Sequence, residues 1–252
     1  MAKVLGDVEL RARWYACGKK TIHLAPDTII TPAGQDFLKE NGIAIDRSSR
    51  EDVRRPGGVM TVTSVPMENG RVVYADESGK TLHEKGEALT ILRGNVLVPK
   101  THPEIIFRGK LDTLSAQIMK VQLVAQKEFN PRIDQDVAEL ASYVQLILGA
   151  EVKDQPLPEI RLLGLDSAGL RRVSQNPKKE IGIDHPIPNY GMGELCVELN
   201  LLRAQVREVE LAAMNAYYKD GVCSRTDIIE ALNRLSSAVY IIFCRKLASY
   251  YI

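Results

Sequence analysis

The stretch Leu201-Leu202-Arg203-Ala204-Gln205-Val206-Arg207-Glu208-Val209-Glu210 reads as a helix and not as a strand. Leu195, Leu199, Leu202, Val206 and Val209 recur at helical spacing, so one face is apolar from Met192 onward. On another face Arg203, Arg207 and Glu210 stand at i, i+4 and i+7, which aligns two guanidinium groups and a carboxylate on one stripe. A helix with so long an apolar face belongs in a bundle. Asp220-Gly221 breaks the pattern, and a second helix is expected from Ser224, with a polar cap and Asp227 in its first turn. It runs through Ile228-Ile229-Glu230-Ala231-Leu232-Asn233-Arg234-Leu235-Ser236-Ser237, and Asn233, Ser237 and Tyr240 share one stripe between Leu235, Val239 and Ile242. Two such helices face to face wall a polar site. The competing explanation is a solvated ion-pair stripe, worth roughly a few tenths of a kcal/mol.

Upstream, Leu111, Leu114, Ile118, Val121 and Ala125 form the buried stripe of another helix, with Asp112 at its edge. A carboxylate there needs a partner if it is buried. Asn130-Pro131 starts the next helix, whose core face is Ile133, Val137, Leu140, Val144, Ile147 and Leu148, with Gly149 near its end. A connection follows, with a short helix near Ser167 to Ser174. The Pro-rich run Asp184-His185-Pro186-Ile187-Pro188-Asn189-Tyr190-Gly191 then leads into the arginine helix.

Toward the start of the chain, Thr21-Ile22-His23-Leu24 reads as a strand. Thr31-Pro32 opens a helix, Gly42 ends it, and Ile43-Ala44-Ile45 closes a small unit. Arg47 to Gly58 is polar and reads as a linker. Val59 to Val65, Arg71 to Ala75 and a strand after Ser78-Gly79 suggest a β-hairpin turning at Glu77-Ser78-Gly79-Lys80. Gly79-Lys80-Thr81 also ends like a phosphate loop, but the first glycine of that motif falls on Tyr74 and no long helix pattern follows. The chain is therefore expected to be mainly α. A small α/β module spans residues 1–50, a linker and hairpin span 51–98, and a helical bundle of four to five helices spans 99–252.

Composition excludes several functions. The 252 residues are 45% hydrophobic and 26% charged, which suffices for a sizeable core. A net charge of +1 without a basic block argues against nucleic acid as a partner. No apolar run suits a membrane span and Met1 to Glu9 lacks a signal-peptide pattern, so a cytoplasmic protein is expected. Cys17, Cys196, Cys223 and Cys244 are too scattered for a disulfide framework or a thiolate metal site.

The run Leu202 to Glu210, followed by Ala231-Leu232-Asn233-Arg234-Leu235-Ser236-Ser237, resembles the ATP:cob(I)alamin adenosyltransferases, above all the ethanolamine-utilisation type. Arg203, Arg207, Glu210 and Asn233 match that type and the propanediol-utilisation type, whereas Glu208 and Ser237 match the former alone. Val98-Pro99-Lys100-Thr101-His102-Pro103 and the helix holding Asp112 resemble the family's opening segment, and residues 10–46 have a weaker counterpart. One departure is plain: the H-x11-C-C-x-x-C metal motif of the best-known ethanolamine-type enzymes has no match, since no cysteine lies between Cys17 and Cys196. No structural metal is carried over.

The resemblance implies attack of Co(I) on the 5′ carbon of ATP with loss of triphosphate, giving adenosylcobalamin. Arg203 and Arg207 are then the catalytic cations that neutralise the triphosphate, and Asp112 is the partner of Arg203. Lys100 and Asn233 are expected at the nucleotide, and Glu210 at the Mg²⁺ carried by ATP. Ile187 and Phe107 are the candidates for an apolar lower face of the corrin. The resemblance further implies a homo-oligomer, dimer or trimer, a corrinoid reductase as electron source, a cobalamin-dependent lyase or dehydratase as client, and an association with a bacterial microcompartment. A non-catalytic escort or scaffold that binds adenosylcobalamin or ATP is the alternative that the same motifs allow.

Overall fold

The computed structural model describes residues 28–46 and 71–251 continuously, together with short strands at 4–5, 21–23 and 67–68. The expected linker at Arg47 to Gly58 and the strand at Val59 to Val65 lie outside the described residues, as does Leu24. The chain divides into two compact units, residues 1–62 and 63–252.

In the first unit β1 (Val4–Leu5) pairs in parallel with β3 (Ile29–Ile30), and β2 (Thr21–His23) with β4 (Ala44–Asp46). Helix α1 (Pro32–Glu40) joins β3 to β4. Its start follows from the local sequence: the Thr31 hydroxyl accepts from Gly34 N at 3.3 Å, and Pro32 occupies a position that has no amide to satisfy.

The second unit opens with three antiparallel hairpins. They are β5 (Met67–Glu68) with β6 (Arg71–Val72), β7 (Tyr74–Ala75) with β8 (Thr81–Leu82), and β9 (Leu89–Ile91) with β10 (Leu97–Pro99). The expected turn lies between β7 and β8, where Asp76 accepts from Ser78 N and Lys80 N.

Four long helices follow: α2 (Pro103–Gln126), α3 (Pro131–Val152), α6 (Glu194–Tyr217) and α7 (Thr226–Leu247). Their apolar stripes meet in one core, with Leu111, Leu114, Ile118, Leu140, Leu199, Leu202, Val206 and Leu235 essentially inaccessible. The principal packing pairs are α2 with α3, α3 with α7, α7 with α6, and α6 with α2, which closes a ring. Contacts between α2 and α6 run antiparallel, from Lys110 with Glu208 to Lys127 with Glu194. Contacts between α3 and α7 do the same, from Asp136 with Arg245 to Leu157, just past α3, with Asp227.

Helices α3 and α6 are thus diagonal partners pointing the same way. The chain between them must travel back along a helix that is 22 residues and roughly 33 Å long. It does so beside α7, touching Asp227 through Leu157, Glu230 and Arg234 through Ser167, and Tyr240 through His185. On this route lie the hairpin β11 (Arg161–Leu162) with β12 (Leu165–Asp166), and the short helices α4 (Ser167–Gln175) and α5 (Pro177–Glu180).

Helices α6 and α7 are joined by a two-residue turn between β13 (Tyr218–Lys219) and β14 (Val222–Cys223). Asp220 at φ 51 and Gly221 at φ 82 supply the two left-handed residues that such a hairpin needs. The expected Ser224 cap is not made. Its hydroxyl donates to the Tyr217 carbonyl at 3.3 Å, because the hairpin brings it back over the end of α6, and α7 starts at Thr226.

At the same end of the bundle Glu151 is buried and held by Arg108 Nε at 2.5 Å and Nη2 at 3.0 Å, and by the Tyr217 hydroxyl at 3.2 Å. This carboxylate ties α2, α3 and α6 together with bonds enough to offset its desolvation.

Candidate active site

The stripe of α6 that carries Arg203, Arg207 and Glu210 faces α7, and with Leu211, Met214, Asn233, Ser236 and Ser237 it lines a cleft of about 480 Å³. Antiparallel packing sets the order along it, with Glu210 level with Asn233 and Arg203 level with Tyr240. The Asn233 amide donates to Glu210 Oε1 at 3.2 Å. Its orientation is fixed from behind by Arg234, whose Nη1 donates to Asn233 Oδ1 at 2.5 Å and whose Nε donates to Ser167 Oγ at 2.9 Å. Ser167 in turn donates to Glu230 at 2.5 Å. The Arg234 guanidinium is thereby engaged in holding Ser167 and Asn233, whereas Arg203 and Arg207 have no hydrogen-bond or ion-pair partner among the described residues. The ion-pair stripe that spacing alone allowed is not formed: Glu210 takes an amide and not a guanidinium. Two permanent cations one turn apart, without an ion-pair partner among the described residues, have the charge and spacing to suit a polyanion.

Arg203 is placed by an aromatic ring. Its guanidinium carbon lies 4.6 Å from the centroid of Tyr240 on α7. That is cation–π distance, and it leaves the N–H edges of the guanidinium free. Tyr240 is buried, and burial pushes its phenol up to about 12, so the ring stays neutral at physiological pH. Its hydroxyl shares a hydrogen bond of 2.7 Å with His185 Nδ1, and the two rings stack at 6.0 Å. His185 belongs to the Pro-rich segment that precedes α6, so this segment is latched to α7 beside Arg203.

Four of the expected site residues line the cleft, namely Arg203, Arg207, Glu210 and Asn233. Four do not. Asp112 is exposed on α2 and makes no pair with Arg203. Arg203 points from α6 toward α7, whereas α2 packs on a different flank of α6, so the two side chains cannot meet within one chain. Lys100 precedes α2 at the end of the bundle where α6 finishes, roughly 20 Å along the axis from Arg203. Phe107 does not present a face to a ligand. It is wholly buried, with its ring edge-on to Tyr217 at 5.8 Å. Ile187 is 84% exposed and lies two residues beyond the latched His185.

Sequence reasoning passed over His185 and left Tyr240 without a role. A tyrosine on the Asn233 and Ser237 stripe, one turn beyond Ser237, was the available signal.

The model of the cobalamin adenosyltransferase family matches residues 82–246. The chain is 29% identical to the corrinoid adenosyltransferase EutT of Salmonella typhimurium and 28% identical to that of Escherichia coli K12, covering 96% of this chain and 91% of each relative. No solved structure matches it. The matched region takes in well over half of the chain and every residue that lines the cleft, and the chain belongs to the cobalamin adenosyltransferase family.

Proposed function

We propose that the cleft between α6 and α7 binds the triphosphate of Mg-ATP while the 5′-deoxyadenosyl group is transferred to cob(I)alamin. The observation that carries this reading is the pair Arg203 and Arg207, aligned on one wall without an acidic partner among the described residues. In the reaction the Co(I) electron pair forms the cobalt–carbon bond, the C5′–O bond breaks, and triphosphate leaves with the electron pair of that broken bond. The leaving group gains charge where it departs, so fixed guanidinium groups stabilise the transition state more than the ground state. No general base is required, because the cobalt nucleophile has no proton to lose.

Glu210 has one oxygen engaged by Asn233 and a second available for the Mg²⁺ that ATP carries. Ile187, exposed next to the latch, is the apolar side chain we assign to the corrin. Asp112 is free to meet Arg203 of a second copy in a homo-oligomer. Such a reaction calls for a corrinoid reductase as electron source, and a cobalamin-dependent lyase or dehydratase would consume the product.

The test is anaerobic. Purified protein, chemically reduced cob(I)alamin and Mg-ATP are mixed, and loss of Co(I) absorbance is followed against growth of the alkylcobalamin spectrum. Conversion that depends on ATP, releases triphosphate and is lost in Arg203→Ala is the expected result. Binding of ATP or adenosylcobalamin without conversion would overturn it in favour of an escort protein.

A further inference from the structure

We propose that Tyr240 is a positioning residue serving both substrates at once, its ring face holding Arg203 for the triphosphate and its hydroxyl holding, through His185, the segment that meets the corrin. This inference rests on the function proposed above and assigns roles to two side chains that are not among those lining the cleft.

The geometry makes the ring a shared support. Arg203 lies over its face at 4.6 Å. The opposite requirement, a fixed position for the ring itself, is met by burial, by Phe243 stacked at 6.3 Å, and by the 2.7 Å bond to His185. A long arginine side chain on an open cleft otherwise samples many rotamers, and ordering it on substrate binding would cost affinity. An aromatic platform removes that cost without consuming any donor, which a carboxylate partner would do. The segment after His185 carries Ile187 and Tyr190, which are 84% and 93% exposed. Side chains so apolar and so exposed need a defined backbone if they are to meet a flat ligand, and the His185 bond to Tyr240 ties the chain two residues before Ile187 to α7. Breaking the ring and breaking the hydroxyl contact therefore have different consequences.

Three variants separate them. Tyr240→Phe keeps the platform and loses the hydroxyl bond. His185→Ala loses the same bond from the other side. Tyr240→Leu loses both. Steady-state constants are measured for ATP and for cob(I)alamin separately, and inorganic tripolyphosphate is used as a direct binding probe of the guanidinium site.

For Tyr240→Phe and His185→Ala the expected result is a cob(I)alamin KM raised about fivefold or more, with tripolyphosphate binding unchanged. For Tyr240→Leu tripolyphosphate binding should also weaken about tenfold, the size expected of a partly desolvated cation–π contact. The deciding measurement is a double-mutant cycle: in an Arg203→Ala background, Tyr240→Leu should weaken tripolyphosphate no further. Additive losses in that cycle, or equal effects of Tyr240→Phe and Tyr240→Leu on tripolyphosphate, overturn the proposal. Should Tyr240→Leu fail to fold, Tyr240→Met takes its place in the cycle with the same criterion. If the wild-type protein neither binds tripolyphosphate nor forms the cobalt–carbon bond, the function of the cleft is wrong, which is a different failure from additivity in an active enzyme.

Discussion

Arg207 carries a permanent charge, stands one turn from Arg203, and has neither an acidic partner nor an aromatic platform among the described residues. Its energy of interaction is thus available to a ligand. A charge-assisted hydrogen bond to a phosphate oxygen is worth about 1.5–3 kcal/mol. Arg207→Ala should lower kcat/KM for ATP by about 10- to 100-fold, and Arg207→Lys should recover part of it, because an ammonium keeps the charge and loses the planar fork. Melting temperatures should be unchanged, since Arg207 makes no hydrogen bond or ion pair among the described residues; an Arg207→Ala protein with wild-type ATP kinetics would remove this side chain from the site. The identity of these residues was legible in the sequence because spacing on a single helix dictates a shared face. What they face was not, since Tyr240 lies 37 positions after Arg203 and no periodicity relates one to the other. Phe107 was a readable error. It stands four residues before Leu111, on the same buried stripe, and its burial follows from the spacing that identified Leu111.

At the scale of elements, helices α3 and α6 run parallel on the diagonal, so the long connection has to be fastened to α7 at intervals. Asp227 makes the first fastening. It accepts from Leu157 N at 3.0 Å and from Arg225 Nε and Nη2 at 3.0 and 2.9 Å, in the first turn of α7, where a negative charge is favoured by the helix dipole. Burial raises the carboxyl, but the bonds from Arg225 and Leu157 outweigh it and the net shift is downward. A group whose folded pKa lies below its unfolded value stabilises the protein above the unfolded value, and this contribution fades as pH falls through the folded one. Asp227→Asn should therefore cost about 1–2 kcal/mol at pH 7, reduced from the full value of charged bonds because the side chain is partly exposed. Thermal melts from pH 7 to pH 3 should show the gap between wild type and variant closing below about pH 4. A gap that stays constant to the acid limit would mean that the carboxylate charge contributes nothing. The fastening was illegible in the sequence. Asp227 looked like an ordinary first-turn acid after a Ser224 cap, and the two-residue hairpin that displaces Ser224 acts only once α6 and α7 are side by side.

At the scale of the whole molecule, the four long helices, the short helix near Ser167 and the hairpin turn near Ser78 were readable, because each depends on local pattern. The ring order was not, for it depends on which stripe meets which. The division of the chain has a direct consequence for function. The family match begins at residue 82, and every residue that lines the cleft, latches the segment at His185 or fastens the connection lies within residues 63–252. That unit owns a continuous core through α2, α3, α6 and α7, and a bundle of this size buries enough apolar surface to fold by itself. A protein comprising residues 63–252 should therefore show the helical circular dichroism of the intact bundle. Its kcat/KM for ATP and for cob(I)alamin should stay within about threefold of the full chain, assayed at equal concentration. If the helical signal survives but activity falls more than tenfold, residues 1–62 contribute to catalysis or to the assembly that catalysis needs. Sedimentation of both proteins distinguishes the two, because a lost assembly changes the mass of the active species and a lost catalytic contact does not.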